Sequence, residues 1–440
     1  MEEDDTFSKV NLYNLCLVDK KWHQAATPSL YHTFESRWDR SFFTFLPTLI
    51  QHPNLAIHVK CVSLSLDYQN WPWEDTKTFR NVIRSRALAL GSPFSDHPAL
   101  VADKNSNRLS RDYQCVLGEM LLFHTPNIVS IDFVKETEVE KVFKFLDTVA
   151  CCSQKWHGMR RLRRVKLDVR FAEDIPESHY MGYLSRLAAV APSVQHLHTY
   201  LLGDCRPPLL DWAPVTVQSQ VPTPPHMVTF LSSLRSINIT NSTDSIPFER
   251  TLGAHISHCK SIEEVRYLSG NRDVASFMQL MRPLSRTIKR LGCTQWNAQG
   301  NETIWDPLRN DSVAVIETIA GLTSLEALLF DLTGPSVLSE HGDSASTIVP
   351  FMCALPKSLR VLAIGGCNWV CLKQGLSQLM DRVHDGMLPN FRTLHVGCYN
   401  ESHHHPFIEA FAEFGVKMKM HENLWLYEDA LRKVWMHMGE

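Results

Sequence analysis

The sequence has 440 residues, of which 44% are hydrophobic and 21% charged, a composition typical of folded globular proteins rather than disordered chains. The formal net charge of −3 provides no overall attraction to nucleic acid or to an anionic membrane. No apolar run approaches the ~20 residues of a membrane span, and the acidic start "MEEDDTFSKV" is unlike a secretory signal peptide. We therefore expect a soluble protein of the cytoplasm, the nucleus or both.

The chain opens with "NLYNLCLVDKKWHQAATPSLYHTF", residues 11–34, which predicts two short helices. Apolar residues recur there at three- and four-residue steps, as on one face of a helix: Leu12, Leu15, Val18, Trp22 and Ala26. Thr27 and Pro28 resemble an N-cap and the first residue of a new helical turn. We expect the first helix to end there and the second to present Leu30, Tyr31 and Phe34.

The next segment, residues 40–58, predicts an amphipathic helix that Pro53 ends. Its apolar face comprises Phe42, Phe45, Leu46, Leu49 and Ile50. Two later stretches interrupt the pattern of the chain. Residues 69–112 are polar and contain "NWPWED", and residues 203–226 carry too many prolines for a helix or an interior strand. We interpret both as surface insertions.

A six-residue motif with apolar positions one, four and six recurs along the chain. Clear copies are "VKCVSL" (59), "IVSIDF" (128), "LRRVKL" (162), "LRSINI" (234), "LEALLF" (325), "LRVLAI" (359) and "FRTLHV" (391); weaker ones are "VQHLHT" (194), "IEEVRY" (262) and "IKRLGC" (288). Positions four and six of a strand point to the same side, and amphipathic helical stretches lie between the copies. One such unit cannot bury its own apolar face, so neighbouring units must stack.

Residues suited to chemistry do not form a recognisable site. "SHHHPF" (402–407) has no nearby Cys, Asp or Glu that would complete a zinc site. The pair His196 and His198 shares a strand face at a spacing that a zinc site could use, but a position in the repeat explains it more simply. In the basic run 155–166, aromatic residues are not interleaved with the arginines as base stacking would require. No phosphate-binding glycine loop or GxSxG nucleophile motif occurs. The 12 cysteines are irregularly spaced, which favours free thiols over disulfides. We expect no enzyme, no cofactor, no metal, no nucleic-acid partner and no membrane partner.

The repeated motif resembles an irregular leucine-rich repeat array. That resemblance implies an α/β solenoid, with a curved parallel sheet and outer helices, over residues 39–440. Four copies carry asparagine just beyond the strand, where such arrays often satisfy backbone groups in the turn: Asn271, Asn297, Asn368 and Asn400. The alternative is an ordinary α/β domain with right-handed crossovers, which has similar spacing of strands and helices.

The opening segment is similar to the later two-thirds of the F-box found in fungal proteins. The similarity rests on "LYNLCLVDKKWHQAATPSLYHTF" and on its continuation "FTFLPTLIQHPNLAIHVKCVSLSL", residues 43–66. It implies a partial F-box-like helical module over residues 1–38 that caps the repeat array. Without the family resemblance, the same residues are interpreted as the helical cap that any solenoid needs at its open end.

The resemblance implies a function as the substrate receptor of an SCF-type cullin-RING ubiquitin ligase. In that family the F-box helices dock on the linker protein of the ligase, which joins them to the cullin scaffold, and the repeats hold a protein substrate. The docking residues implied here are Leu12, Leu15, Cys16, Val18, Lys21 and Trp22. The alternative for Trp22 is a place in the core, because so small a module must bury one face.

A complete F-box begins with an "LPxEI"-like stretch, and residues 1–10 contain neither Leu nor Pro. Two alternatives follow: either the beginning of the motif is missing from this sequence, or the copy has lost ligase docking and serves as a cap. In the second case the protein is a leucine-rich repeat scaffold. For substrates we expect contact with the two insertions and with the concave strand face. On that face the exposed positions two, three and five of the repeats would make contact, as in Arg163, Arg164 and Lys166, and in Glu263, Glu264 and Arg266.

Overall fold

A computed structural model describes most of the strands and helices of the chain. The described residues are 11–35, 41–64, 81–85, 88, 117–118, 120–138, 158–170, 177–202, 224–241, 256–269, 274–295, 312–331, 345–365, 369–397, 405–421 and 435. They belong to two compact units, the first formed by Met1–Leu202 with Pro222–Phe230, the second by Gly203–Val221 with Leu231–Glu440. Each unit is described separately below.

The first unit begins with two helices that meet at Asp19. Residues 11–18 are helical, and a second helix runs from Lys20 to Leu30. The Asp19 carboxylate accepts hydrogen bonds from the backbone N–H groups of Lys21 (2.7 Å) and Trp22 (2.9 Å), so Asp19 is the N-cap. The prediction that Thr27 caps a new helix is wrong. Pro28 lies inside the second helix, and the Thr27 hydroxyl donates to the His23 carbonyl one turn earlier (2.6 Å).

The remaining elements of the first unit alternate between helices and strands. The helices with defined ends are Ser41–Gln51, Pro53–Ala56 and Glu177–Val190, and residues 120–124 are also helical. A further helix, Pro225–Ser233, belongs to the first unit up to Phe230. The strands are β1 (Thr33–Glu35), β2 (Cys61–Leu64), β3 (Ser130–Glu138), β4 (Arg164–Arg170) and β5 (His196–Leu202). The helix predicted over 40–58 ends at Gln51, and Pro53 begins a separate short helix.

The second unit has the same alternation. Its strands are β6 (Ser236–Asn241), β7 (Glu264–Ser269), β8 (Arg290–Gln295), β9 (Ala327–Asp331), β10 (Val361–Gly365), β11 (Thr393–Gly397) and β12 (Lys417–His421). Its α-helices are Val274–Met281, Ser312–Gly321, Ala345–Ala354, Trp369–His384 and His405–Glu413. Short 3-10 turns occur in both units, at Gly158–Arg161, Ile256–His258 and Arg282–Leu284.

All ten copies of the six-residue motif form strands, β2 to β11. Within each unit the strands pair in parallel and in chain order, so the predicted α/β fold of parallel strands and intervening helices is confirmed. The structure adds two strands that the motif did not predict. One is β1, "TFE" at residues 33–35, in which Phe34 is in register with Val62. The other is β12, which follows the last motif.

A regular set of backbone hydrogen bonds joins successive motifs. The carbonyl at position two of one motif accepts the N–H groups of positions two and three of the next. In the first unit, for example, the Val129 carbonyl accepts from Arg163 (2.8 Å) and Arg164 (3.0 Å). In the second unit, the Glu326 carbonyl accepts from Arg360 (2.7 Å) and Val361 (3.0 Å). We call this series the carbonyl ladder. It aligns the beginnings of neighbouring strands and therefore sets their register.

Positions one, four and six are buried on the side of the sheet that faces the helices. In β4 these positions are Leu162, Val165 and Leu167, each at most 4% exposed. Ring contacts show that position six faces a helix: Tyr267 stacks on Phe277 at 4.2 Å between centroids, and Phe330 lies 5.2 Å from Phe351. Positions three and five must therefore project from the opposite face, because neighbouring residues of a strand alternate sides.

Several predictions fall on residues outside those described. They include the four asparagines beyond the strands, almost all of the 203–226 insertion and most of the 69–112 insertion. Within the described ranges, no helix has the length and apolar character needed to cross a membrane.

Candidate partner-binding surfaces

The face of the sheet opposite the helices carries a row of side chains from position five of each motif. We call this the position-five row. In the first unit it runs through Ser63, Asp132, Lys166 and His198, which the strand registers place side by side. In the second unit it comprises Asn238, Arg266, Gly292, Leu329, Ala363, His395 and Lys419. Two of the predicted partner-facing residues, Lys166 and Arg266, belong to this row.

The predicted residues of β4 have three different environments. Arg163 lies in the turn before the strand, half-buried, and its guanidinium donates a hydrogen bond to the Ser193 carbonyl of the next motif (2.9 Å). Arg164 is exposed at the beginning of the strand. Lys166 is half-exposed, and its ammonium lies 3.6 Å from the Asp132 carboxylate. Arg164 and Lys166 are thus available to a partner on this face, whereas Arg163 connects two motifs.

The predicted residues of β7 are engaged in contacts within the chain. The Glu263 carboxylate pairs with the Lys289 ammonium at 3.1 Å, in the turns before β7 and β8. The Glu264 carboxylate accepts hydrogen bonds from the Arg290 guanidinium (3.1 Å) and from the indole N–H of Trp435 (3.0 Å). Arg266 is 4% exposed, and its side chain lies close to Gly292. Motif analysis did not predict Trp435, which lies outside every copy of the repeat.

Strands β9 to β11 are buried on both faces. Leu329 and Ala363 have no exposed surface, and His395 is 2% exposed, although all three belong to the position-five row. The Nδ1 atom of His395 lies 2.8 Å from Nε2 of His421, and the two imidazole rings stack. Burial, with a further contribution from the Lys419 charge, lowers the pKa of His421. This part of the sheet therefore has the character of a core rather than of an open surface.

The two opening helices expose four large apolar side chains. Tyr13 is 56% exposed, Leu17 68%, Val18 65% and Trp22 50%. Of the predicted docking residues, Val18, Lys21 and Trp22 are exposed, and Leu12, Leu15 and Cys16 are half-buried. Tyr13 and Leu17 were not predicted, although their four-residue spacing is a helical signal. We call Tyr13, Leu17, Val18 and Trp22 the N-terminal apolar surface.

A polar groove of about 600 Å³ lies along the turns before β8 to β11. Its lining residues are Lys289, Ser324, Glu326, Ser358, Arg360, Asn390 and Arg392. The Arg360 guanidinium lies 3.7 Å from the Glu326 carboxylate, and both side chains are largely exposed. Three cationic groups and one carboxylate give the groove a positive balance, which suits an acidic segment of a partner better than a basic one.

Metal-binding and thiol chemistry find little support in the described part of the chain. No cluster of three or more His, Cys, Asp or Glu side chains is placed to hold a metal ion there. His196 and His198 stand on β5 as expected, and His405 begins a helix. Cys16, Cys61, Cys259, Cys293 and Cys353 are free thiols, and burial raises the pKa of Cys259 to about 12. A thiol with so high a pKa is a poor nucleophile.

Comparison with known proteins adds no family assignment to this geometry. No protein-family model matches the chain, and none of the curated proteins matches it at a significant level.

Proposed function

We propose that the protein is a non-enzymatic substrate receptor of an SCF-type cullin-RING ubiquitin ligase. In this proposal the opening helices dock on the linker protein of the ligase, and the repeats hold a protein substrate. The observation that carries the proposal is the N-terminal apolar surface. Four large apolar side chains, each at least half exposed, occur on two short helices. Large apolar side chains exposed this close together in the sequence are candidates for a site that binds another protein.

The repeats support the binding half of the proposal. Motifs with apolar positions one, four and six, joined by the carbonyl ladder, are what we expect of a leucine-rich repeat array. Such an array presents one face of its sheet to partners. In β2 to β5 that face is polar and half-exposed, with Asp132, Lys166 and His198 in one row. A mixed polar row of this kind suits selective recognition of a protein surface.

Binding of the linker protein tests the docking half, with a matched pair of substitutions. Val18→Asp places a carboxylate on the N-terminal apolar surface. The control, Val313→Asp, introduces the same charge at an equally exposed valine elsewhere, on the helix Ser312–Gly321. We expect Val18→Asp to weaken binding about 30-fold or more, the effect of losing an interface hot spot worth about 2 kcal/mol. Val313→Asp should bind like wild type. Calorimetry or a pull-down with purified linker protein measures both.

Two further variants, Trp22→Ala and Leu15→Asp, separate a loss of linker-protein binding from a loss of folding stability. Trp22 is half exposed, and we expect its removal to weaken binding with little effect on folding. Leu15 is half-buried, so Leu15→Asp should also lower stability, which thermal unfolding detects. If wild type does not bind the linker protein, or if Val313→Asp weakens binding as much as Val18→Asp, the docking proposal is wrong.

The alternative function is a leucine-rich repeat scaffold without ligase docking. One observation favours it: Leu12, Leu15 and Cys16, half of the docking set implied by the resemblance, are partly covered within the chain. A scaffold would retain partner binding through the sheet face while ignoring the linker protein. The calorimetric experiment separates the two functions, because only the receptor binds that protein.

A further inference from the structure

The sheet face at β7 and β8 contains a socket that is filled by the side chain of Trp435. We define the indole socket by Glu264, Arg266, Arg290 and Gly292. Trp435 is 6% exposed, and it reaches these strands from 145 residues beyond Arg290 in the sequence. It lies on the face that the repeats of the proposed receptor would offer to a substrate. The inference below concerns that face alone and does not depend on ligase docking.

The floor of the socket is Gly292, which belongs to the position-five row between Arg266 and Leu329. A Cβ atom on Gly292 would lie 2.7 Å from Cζ3 and 3.2 Å from Cε3 of the indole. Carbon atoms in contact are normally 3.5–4.0 Å apart, so only glycine leaves room for the ring. The missing side chain thus forms a flat recess of the size of an aromatic ring.

The polar groups of the socket recognise specific atoms of a tryptophan residue. The Glu264 carboxylate accepts the indole N–H at 3.0 Å. The Arg290 guanidinium lies over the indole at 4.7 Å from the ring centroid, and it also donates a hydrogen bond to the Trp435 carbonyl. The pair of Glu264 and Arg290 is itself held together at 3.1 Å. The socket therefore contacts a tryptophan at three places: Arg290 binds the ring face and the backbone carbonyl, and Glu264 binds the ring N–H.

We propose that the indole socket is a binding site for a tryptophan-bearing segment of a protein partner, and that Trp435 is its intramolecular competitor. Phenylalanine and leucine lack the N–H that Glu264 accepts, so the socket selects tryptophan among apolar side chains. Because Trp435 belongs to the same chain as the socket, it competes at an effective concentration that does not depend on the protein concentration. A partner must therefore bind more tightly than Trp435 or make additional contacts along the sheet face.

A labelled peptide that copies residues 430–440, "ALRKVWMHMGE", tests this proposal by fluorescence anisotropy. We expect the peptide to bind the full-length Trp435→Ala chain at least about tenfold more tightly than wild type, because the substitution empties the socket. The same peptide with alanine in place of tryptophan should not bind. Trp435→Phe should give an intermediate gain, since the phenyl ring fills the recess without donating to Glu264.

Two glycine substitutions in the Trp435→Ala background provide a matched control. Gly292→Val should abolish peptide binding by filling the recess. Gly321→Val should leave binding unchanged, because nothing lies within 4 Å of a Cβ atom at Gly321. Circular dichroism checks that each chain is folded, and linker-protein binding by the same chains checks the ligase proposal separately.

Three results would overturn the inference. The first is a folded Trp435→Ala chain that does not bind the peptide, which would make Trp435 a fixed packing residue. The second is equal binding with Gly292→Val and Gly321→Val, which would place the peptide elsewhere. The third is a wild-type dimer that Trp435→Ala dissociates, because a second copy would then supply the tryptophan.

Discussion

The position-five row differs in exposure between two regions of the protein, β2 to β5 in the first unit and β9 to β11 in the second. In β2 to β5 its members are Ser63, Asp132, Lys166 and His198, and all are half-exposed. In β9 to β11 its members are Leu329, Ala363 and His395, and all are buried. The same motif, with the same register and the same carbonyl ladder, thus produces a sheet with one solvated face in one region and two buried faces in the other.

The difference teaches that the repeat determines only one side of the sheet. Positions one, four and six are buried in both regions, and all are apolar except Thr199 at position six of the β5 copy. The opposite side is set separately, by the residue at position five. "LEALLF" and "LRVLAI" have apolar residues there and read as nearly continuous apolar runs, which is typical of parallel strands buried on both faces. "IVSIDF" and "LRRVKL" alternate, as half-buried strands do.

The largest expected effect comes from truncating the two kinds of position-five residue to alanine. Leu329→Ala should lower the free energy of unfolding by about 2–5 kcal/mol, because it leaves a cavity in a fully buried environment. Lys166→Ala should change it by less than about 1 kcal/mol, since it removes only a solvent-exposed ion pair with Asp132. Urea denaturation followed by circular dichroism measures both. Equal losses of unfolding free energy in the two variants would contradict the difference in burial between the two regions of the position-five row.

Acidification should destabilise the first unit through His124. Burial lowers the pKa of His124 to about 4 from an ordinary value of 6.5, so the folded state favours the neutral imidazole. Between pH 6.5 and 4 the unfolded chain binds the proton first, and stability falls as the pH falls. The full loss is about 3 kcal/mol, reached below pH 4.

His124→Leu separates this contribution from the rest of the pH dependence. The substitution removes the titrating group, so the difference in unfolding free energy between pH 7 and pH 4 should shrink by most of that amount. Thermal or urea unfolding at several pH values measures it. An unchanged pH dependence in His124→Leu would exclude His124 as the source of the acid sensitivity.

We expect smaller losses of stability from replacing two arginines that connect neighbouring repeats. In the second unit the buried Arg382 guanidinium donates to the carbonyls of Met352 and Leu355, near the end of the helix Ala345–Ala354. In the first unit the half-buried Arg163 donates to the Ser193 carbonyl. We expect Arg382→Met to cost about 2–3 kcal/mol and Arg163→Met about 1 kcal/mol, because hydrogen bonds from charged donors count for more where water is excluded. Urea denaturation of the two variants checks the order, and a larger cost for Arg163→Met would contradict it.

Most of the repeat architecture could be predicted from the sequence. The ten motifs became β2 to β11, because a two-residue alternation flanked by helical stretches is a local signal. Strand β1 was missed because "TFE" is too short to show alternation. Burial of Phe34 depends on pairing of this strand with β2 and on stacking of Phe34 against Phe45 at 4.5 Å. The boundary of the opening helices was wrong because capping by Asp19 outweighed the Thr-Pro signal.

The candidate surfaces were harder to predict than the fold. Periodicity located the outward positions of each motif, but Glu264 and Arg266 proved to be in contact with Trp435 or close to it. No local pattern connects a tryptophan near the end of the chain to strands well before it. At the opening helices, Val18 and Trp22 are exposed although the periodicity placed them on the apolar face, and Leu17 is the most exposed large apolar side chain of that region.

The carbonyl ladder has a consequence for how this protein tolerates change in chain length. It fixes one carbonyl in each repeat, and nothing in it constrains the number of residues before the next: Glu263 and Lys289 are 26 residues apart, Lys60 and Val129 are 69. New segments can therefore enter between two strands at the small entropic cost of a longer loop, about 0.6 kcal/mol for each doubling in length. Over evolutionary time such a chain can acquire binding loops without re-registering its sheet.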